Sequence, residues 1–191
     1  MLAPVMNRLM LVGTMVLALG CSPVVVQSPP VVATRHPVAS ASATVVASTF
    51  APSGPTEEAE VVRVVDGDTI VVDLGGFEER VRYIGIDAPE SVRPSFPVEE
   101  WGVEASAANA DLVEGRTVVL ERDVSDTDRF GRLLRYVWLL NDGEWLLVNL
   151  ELVRLGYANA GSFPPDVKYN DEVRAAEREA RDADRGLWGL P

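Results

Sequence analysis

The sequence predicts an α+β fold, in which a small, closed or half-closed β-barrel is combined with a few helices. Short runs rich in Val, Ile and Leu are separated by Asp-Gly, Gly-Gly and Asn-Asp-Gly, which are typical of hairpin turns. Later segments instead repeat their apolar residues every three or four positions, which is the period of an amphipathic helix. Closing the strands into a barrel would leave few exposed strand edges.

The predicted strands follow from these turns. We expect the first two strands at residues 61–65 and 69–74, joined by Asp66-Gly67-Asp68, and the third at 79–86 after Gly75-Gly76. The remaining strands are predicted at 116–123, 132–140 and 144–148, with Asn141-Asp142-Gly143 turning the last hairpin.

Helices are predicted at residues 98–114, 149–155 and 170–185, and Gly115 and Gly156 are expected to end the first two. The buried face of the first helix is expected to consist of Trp101, Ala105, Ala108 and Leu112. The buried face of the last is expected to consist of Val173, Ala176, Ala180 and Ala183.

The first 56 residues predict export. Residues 1–21 hold one charge and an apolar core at 9–19, which is shorter than the roughly 20 residues that cross a bilayer but fits a signal peptide. The segment ends in LALGC, which resembles a bacterial lipobox and predicts a lipid on Cys21; an ordinary signal peptide is the alternative. Residues 22–56 read as a disordered Pro/Ser/Ala/Val linker. We therefore expect an exported envelope lipoprotein or a secreted protein.

Residues 57–191 are predicted to form the folded domain, and their charge limits its function. They contain all 29 Asp and Glu residues, against 15 Lys and Arg once Arg8 and Arg35 are set aside, a net charge of −14. A protein that coats nucleic acid non-specifically should be basic, so this class is disfavoured. The only histidine, His36, and the only cysteine, Cys21, precede the domain. Any reaction must therefore proceed without either side chain.

Charged residues collect at three places that a core or a turn does not need. Asp68 follows the opening turn, Arg82 and Asp87 flank an apolar strand end, and Arg132 enters an apolar strand after Gly131. Singly, each has an ordinary explanation as a turn residue, a strand end at Pro89, or an arginine that reaches solvent. If Asp68 and Asp87 converge, their oxygens suit a hard cation such as Ca²⁺, completed by a carbonyl and water.

Five segments in the same order resemble the staphylococcal nuclease-like (thermonuclease) domain. They read VDGDT, RYIGIDAPES, RFGRLLRYVW, LVNLELVRLGYA and a final GLW. The likeness implies a five-stranded OB-fold β-barrel with three α-helices. It also implies Ca²⁺ as cofactor, held by Asp68, Asp87 and the backbone carbonyl of Ala88, where the family prototype has threonine.

The resemblance further implies that Arg82 and Arg132 bind the phosphate and that Glu90 is the catalytic glutamate. An ideal strand would point Arg82 and Asp87 to opposite faces, so the family geometry requires a bend at Gly85 or just before Pro89. A pair of family tyrosines that receives the terminal nucleotide is matched only by Gly161 and Phe163. Phe163 is therefore a candidate for stacking on a base.

These observations favour an exported, monomeric, Ca²⁺-dependent nuclease that hydrolyses phosphodiester bonds of DNA and RNA with low sequence specificity. The alternative is a non-catalytic OB-fold module that binds nucleic acid or a protein partner at the cell envelope. Relatives of this fold that serve only in interactions typically lack the charged set, which favours the enzyme.

Overall fold

The computed structural model describes residues 51–91 and 99–189. The predicted signal segment, Cys21 and residues 22–50 of the predicted linker lie outside the described residues. The strands are β1 (Thr56–Asp66), β2 (Thr69–Asp73), β3 (Glu78–Tyr83), β4 (Ile86–Asp87), β5 (Thr117–Glu121), β6 (Leu133–Asn141), β7 (Glu144–Leu147) and β8 (Asn159–Ala160). The helices are α1 (Gly102–Val113), α2 (Val148–Arg154), α3 (Asn170–Asp182) and a short 3₁₀ helix (Gly186–Trp188). None of the helices in this part of the chain is long and apolar enough to cross a membrane.

Five strands form a closed barrel in the order β3-β2-β1-β5-β6, and a parallel pairing of β3 with β6 completes the ring. The remaining pairs of the barrel are antiparallel, and β7 adds to β6 outside the ring. Strand β1 is long enough to pair with both β2 and β5, and its register shifts twice within the pairing to β2. Such irregularities bend a strand, which helps a small sheet to close. The predicted five-stranded α+β barrel with three α-helices is confirmed.

The barrel interior is apolar, and the helices contribute side chains to the same core. Ile70, Val81, Leu120 and Trp138 are fully buried, in strands where apolar side chains were expected. Helix α3 contributes Val173, Ala176 and Ala180 to the buried face that its period predicts, whereas Ala183 lies beyond the helix and is exposed. This last residue of the prediction is therefore wrong, because α3 ends at Asp182.

Helix α1 starts later than predicted, and its buried face agrees with the prediction only in part. It begins at Gly102, where a Cβ would lie 2.6 Å from the carbonyl oxygen of Glu90, so that only glycine fits beside that segment. Its buried residues are Gly102, Ala105, Asn109 and Val113, whereas Trp101, Ala108 and Leu112 are only half-buried. Ala108 and Leu112 still pack against the core, and the prediction left out Asn109, which is buried because its amide binds inward.

Candidate active site

The turn between β1 and β2 positions the first site residue and also packs against the rest of the domain. The Asp66 carboxylate accepts the backbone N–H of Asp68 at 3.1 Å, a local bond that stabilises this turn. Gly67 is buried, and a Cβ there would lie 2.6 Å from Ala88 Cβ and 2.9 Å from Ala105 Cβ. The glycine therefore allows α1 and the chain after β4 to approach the turn closely.

The carboxylate of Asp68 is almost completely buried, with 5% of the residue exposed. It accepts hydrogen bonds from the Thr69 hydroxyl at 3.1 Å and from the Ala88 amide at 2.8 Å, and it forms an ion pair with Arg82. Burial raises the pKa of Asp68 to about 7, against the lowering effect of Arg82 and with a further raising effect of Asp66. A second cation at this carboxylate would hold it ionised.

The guanidinium of Arg82 links Asp68 to Asp87, as Nη2 donates to Asp87 Oδ1 at 2.9 Å. Strand β3 stops at Tyr83, and Gly85 has a φ of 80°, a left-handed conformation that favours glycine. This break separates β3 from β4 and allows Arg82 and Asp87 to meet. The bend expected at Gly85 is confirmed.

Ala88 and Glu90 follow on the irregular segment after β4. The Ala88 amide, not its carbonyl, makes the contact with Asp68. The backbone of Glu90 is held on both sides, because its carbonyl accepts the Glu99 N–H at 2.9 Å and its N–H donates to the Glu99 carboxylate at 3.1 Å. Glu90 is partly buried and lines the same cleft as Asp68.

Arg132 approaches from the loop before β6, where Asp128 binds it. Its Nε and Nη2 each lie 2.7 Å from Asp128 Oδ2, and its backbone N–H donates to Oδ1 at 3.0 Å. Burial raises the pKa of Asp128, but the hydrogen bonds from Arg132 and the Phe130 amide outweigh it, so that the pKa lies below its usual value. Sequence reasoning missed Asp128, because a spacing of four residues brings two side chains together in a helix but not predictably in a loop.

The six predicted catalytic and metal-binding residues line one cleft with a volume of about 620 Å³. They are Asp68, Arg82, Asp87, Ala88, Glu90 and Arg132. The loop at Phe130 separates this cleft from an adjoining, mainly apolar slot of about 420 Å³, which Tyr83, Ile86 and Leu134 help to line. The expectation that distant segments converge on a single cleft agrees with this arrangement.

Phe163 lies at the apolar slot and is half-exposed. Its ring lies so close to Gly161 that a Cβ on Gly161 would be 2.3 Å from a ring carbon. A second aromatic side chain at Gly161 is therefore excluded unless Phe163 moves. Of the two positions where the family resemblance leads us to expect aromatic rings, only Phe163 carries one; Tyr83 and Phe130 also line the slot.

The donor chemistry of the cleft fits a hard cation. Asp68 and Asp87 present carboxylate oxygens to one guanidinium, and burial raises the pKa of the Asp68 carboxyl more than Arg82 lowers it. Within residues 51–91 and 99–189, no three His, Cys, Asp or Glu side chains group as metal ligands. Because Ca²⁺ takes about 6–8 oxygens, backbone carbonyls and water would have to complete such a site.

Comparisons with known proteins agree with this fold. The family described as Staphylococcal nuclease homologue matches residues 80–189. A thermonuclease of Staphylococcus hyicus is 38% identical over 129 residues, covering 68% of this chain and 74% of the relative. A thermonuclease of Staphylococcus intermedius is 40% identical over 128 residues, 67% of this chain and 74% of that protein. Endonuclease YncB of Bacillus subtilis is 37% identical over 130 residues, 66% of this chain and 59% of that protein. The chain belongs to the staphylococcal nuclease homologue family.

Proposed function

We propose that this protein is an exported, Ca²⁺-dependent nuclease that hydrolyses phosphodiester bonds of DNA and RNA with little sequence preference. The observation that carries the proposal is a cleft that brings the guanidinium groups of Arg82 and Arg132 together with the carboxylates of Asp68, Asp87 and Glu90. Relatives named thermonuclease and endonuclease support a nuclease function. The residue types suit the reaction, because a phosphodiester repels an attacking water until its charge is neutralised.

Asp68, Asp87 and the Ala88 carbonyl would hold the calcium ion. When bound, the ion would polarise a phosphoryl oxygen and neutralise charge that develops there. Asp68 is suited to this role because it is buried and fixed by the Ala88 amide and the Thr69 hydroxyl. A ligand whose orientation is set beforehand loses little freedom on binding.

Arg82 and Arg132 bind the phosphate in this proposal. Each guanidinium is already oriented by a carboxylate, Arg82 by Asp68 and Asp87 and Arg132 by Asp128. Paired N–H donors match the geometry of two phosphate oxygens and strengthen as negative charge grows in the transition state. Glu90 orients or deprotonates the attacking water.

The apolar slot supports low sequence specificity. Phe163 offers a ring face, and stacking on an aromatic ring accepts every base. Asp166 also lines the slot, but its carboxylate already accepts the backbone N–H groups of Val124 and Ser125. A base would therefore bind through contact with the Phe163 ring and not through hydrogen bonds to its edge.

Cleavage by the full chain tests the proposal. Single-stranded DNA and RNA are incubated with wild type and with Arg132→Gly, in calcium and in chelator. We expect calcium-dependent loss of substrate with wild type and a severe loss of rate with the variant. If both proteins degrade the nucleic acids equally slowly, the proposed nuclease activity is contradicted. Tight binding without cleavage would favour the non-catalytic OB-fold module.

Export and anchoring form a separate part of the proposal, based on residues 1–21. We propose that Cys21 carries a lipid, that the enzyme acts outside the cytoplasm, and that it is a monomer. Labelling of the expressed protein with a radioactive fatty acid tests the anchor, with Cys21→Ser as control. Labelling that persists in the variant, or is absent from wild type, contradicts a lipid at this residue.

A further inference from the structure

Two further arginines, Arg80 and Arg129, line the cleft, and the proposed mechanism uses neither of them. Arg80 lies in β3, two residues before Arg82, and its side chain borders the same 620 Å³ cleft as Arg82 and Arg132. Residues two apart in a strand point to the same face. Arg80 is exposed, whereas Arg82, nearer the carboxylates, is half-buried. The arginine therefore extends the cationic surface of the cleft along the strand.

Arg80 differs from the other three arginines of the cleft in its partners. Arg82 is paired with Asp68 and Asp87, and Arg132 is paired with Asp128. Arg129 lies over the Phe130 ring, 4.6 Å from its centroid, whereas the side chain of Arg80 has no ion pair, hydrogen bond or ring contact among the residues that the structure describes. In a domain with a net charge of −14, a cation that faces a cleft without a carboxylate partner is suited to an external anion.

The spacing along β3 points to the identity of this anion. Alternate residues of a strand are separated by about 6.6 Å, twice the rise per residue. This step is of the same order as the distance between neighbouring phosphates of an extended nucleic-acid strand. We infer that Arg80 binds the phosphate adjacent to the scissile one, so that the preferred substrate is a strand with at least two consecutive phosphates. This inference rests on the proposed function and names its substrate class.

Acidic residues next to Arg80 limit the number of phosphates that can bind along β3. Glu78 precedes Arg80 on the face that carries Arg82, and both Glu78 and Glu79 line the cleft. Their carboxylates would repel a third phosphate in that direction. Affinity should therefore rise when the phosphate at Arg80 is added and should change little when the strand is extended further past it.

The test uses Arg80→Met in the full chain. Val71 of β2, opposite Arg80 in the register, is buried, and methionine keeps a long apolar stem there while removing the charge. Arg178→Met is the matched control, because Arg178 is exposed on α3, has no ion pair with the described residues and borders none of their clefts. Both variants change the net charge equally.

Binding of fluorescent oligothymidylates in chelator, followed by anisotropy at several salt concentrations, gives the first readout. We expect Arg80→Met to weaken binding about tenfold and to reduce the slope of log K against log salt by about 0.7, the value for one phosphate of a single strand. Arg178→Met should leave both quantities at the wild-type value. Equal behaviour of the two variants overturns the inference.

Cleavage of trithymidylates in calcium gives the second readout and identifies the phosphate. Two substrates each carry one phosphodiester, flanked on one side by an uncharged methylphosphonate and on the other by a terminal phosphate, with the methylphosphonate either 5′ or 3′ of the cleavable linkage. Arg80→Met should leave kcat/KM unchanged for the substrate whose methylphosphonate would face Arg80. It should lower kcat/KM for the other substrate. An effect of equal size on both substrates overturns the inference.

The two proposals fail in different ways. If wild type cleaves the trithymidylates but Arg80→Met behaves as Arg178→Met does, the nuclease stands and only the role of Arg80 is lost. If wild type cleaves nothing, the nuclease is wrong, and the salt slopes still decide whether Arg80 binds a phosphate. Wild-type protein that neither binds nor cleaves oligothymidylates overturns both.

Discussion

The carboxylate of Asp128 binds the guanidinium of Arg132 through two of its nitrogens, Nε and Nη2, each 2.7 Å from Oδ2. The other oxygen, Oδ1, accepts the backbone N–H groups of Phe130 at 2.8 Å and Arg132 at 3.0 Å. One side chain therefore fixes both the loop before β6 and the guanidinium that this loop brings to the cleft. Asp128 acts through Arg132 and is a positioning residue in the proposed mechanism.

Asp128→Asn should lower kcat/KM for single-stranded DNA by about tenfold or more, because a misplaced catalytic group loses orientation even when its chemistry is intact. Asp142→Asn is the control: Asp142 is exposed in the β6–β7 turn with a φ of 50°, which asparagine tolerates. Melting temperatures are measured alongside. A wild-type kcat/KM with a lowered melting temperature would assign Asp128 to stability alone.

Asp68 should make the stability of the metal-free protein depend on pH. Burial raises its pKa to about 7 in the folded state, despite the lowering effect of Arg82, whereas the unfolded chain titrates near 4. Between these values the folded state binds more protons than the unfolded state. The free energy of unfolding should therefore fall as pH rises from about 4 to 7, by at most about 4 kcal/mol.

Urea melts in chelator across this range measure the effect, and Asp68→Asn should flatten the dependence relative to Asp142→Asn. Calcium should oppose the loss, since it binds the ionised carboxylate and its stabilising effect grows as pH rises. A wild-type pH dependence that persists in Asp68→Asn would assign the titration to another group.

Among the buried charged residues, Glu121 is predicted to have the largest effect on stability when it is replaced. It is fully buried in β5 and forms an ion pair with Lys168. Its carboxylate also accepts hydrogen bonds from the Ser53 and Gly54 amides, the Trp138 indole and the Tyr169 hydroxyl. Burial raises its pKa, but Lys168 and the other donors outweigh burial, so that the pKa is lowered.

Glu121→Gln should reduce the free energy of unfolding by about 3–5 kcal/mol, because it leaves the Lys168 charge without its carboxylate partner. Glu58→Gln, at an exposed position of β1, should change it by less than about 0.5 kcal/mol. Urea unfolding compares the two variants. Similar stability of both would mean that water replaces the carboxylate at this site.

The barrel and most of the candidate site could be predicted because their signals are local. The Asp-Gly and Gly-Gly turns fix where strands end, and each site segment is a short contiguous run. Asn109 shows where local signals fail: it is buried in α1 because its amide accepts from the Tyr83 hydroxyl at 2.9 Å and donates to the Asp66 carbonyl at 3.0 Å. Apolar periodicity cannot identify a polar residue whose partners lie in other elements.

Glu121 and Asp128 were missed for a similar reason. Glu121 alternates with apolar neighbours in a strand, where a charged residue is expected to face solvent, and only the fold shows the donors around it. The role of Asp128 depends on the distance to a guanidinium across a loop, which spacing suggests but does not determine. Residue identities predicted the chemistry of the cleft, whereas the partners that orient its side chains required three-dimensional contacts.

Phe163 should contribute to substrate binding more than to the chemical step. Its half-exposed ring borders the apolar slot beside the cleft, at a distance from the carboxylates that the proposed reaction uses. Phe163→Ala should raise KM for single-stranded DNA by about tenfold and leave kcat nearly unchanged, because a stacked base gains the same contact in the ground and transition states. Phe77→Ala is the control: Phe77 is also exposed and borders neither cavity, so both constants should stay at wild-type values. A fall in kcat with constant KM would instead mean that Phe163 orients the reacting phosphate.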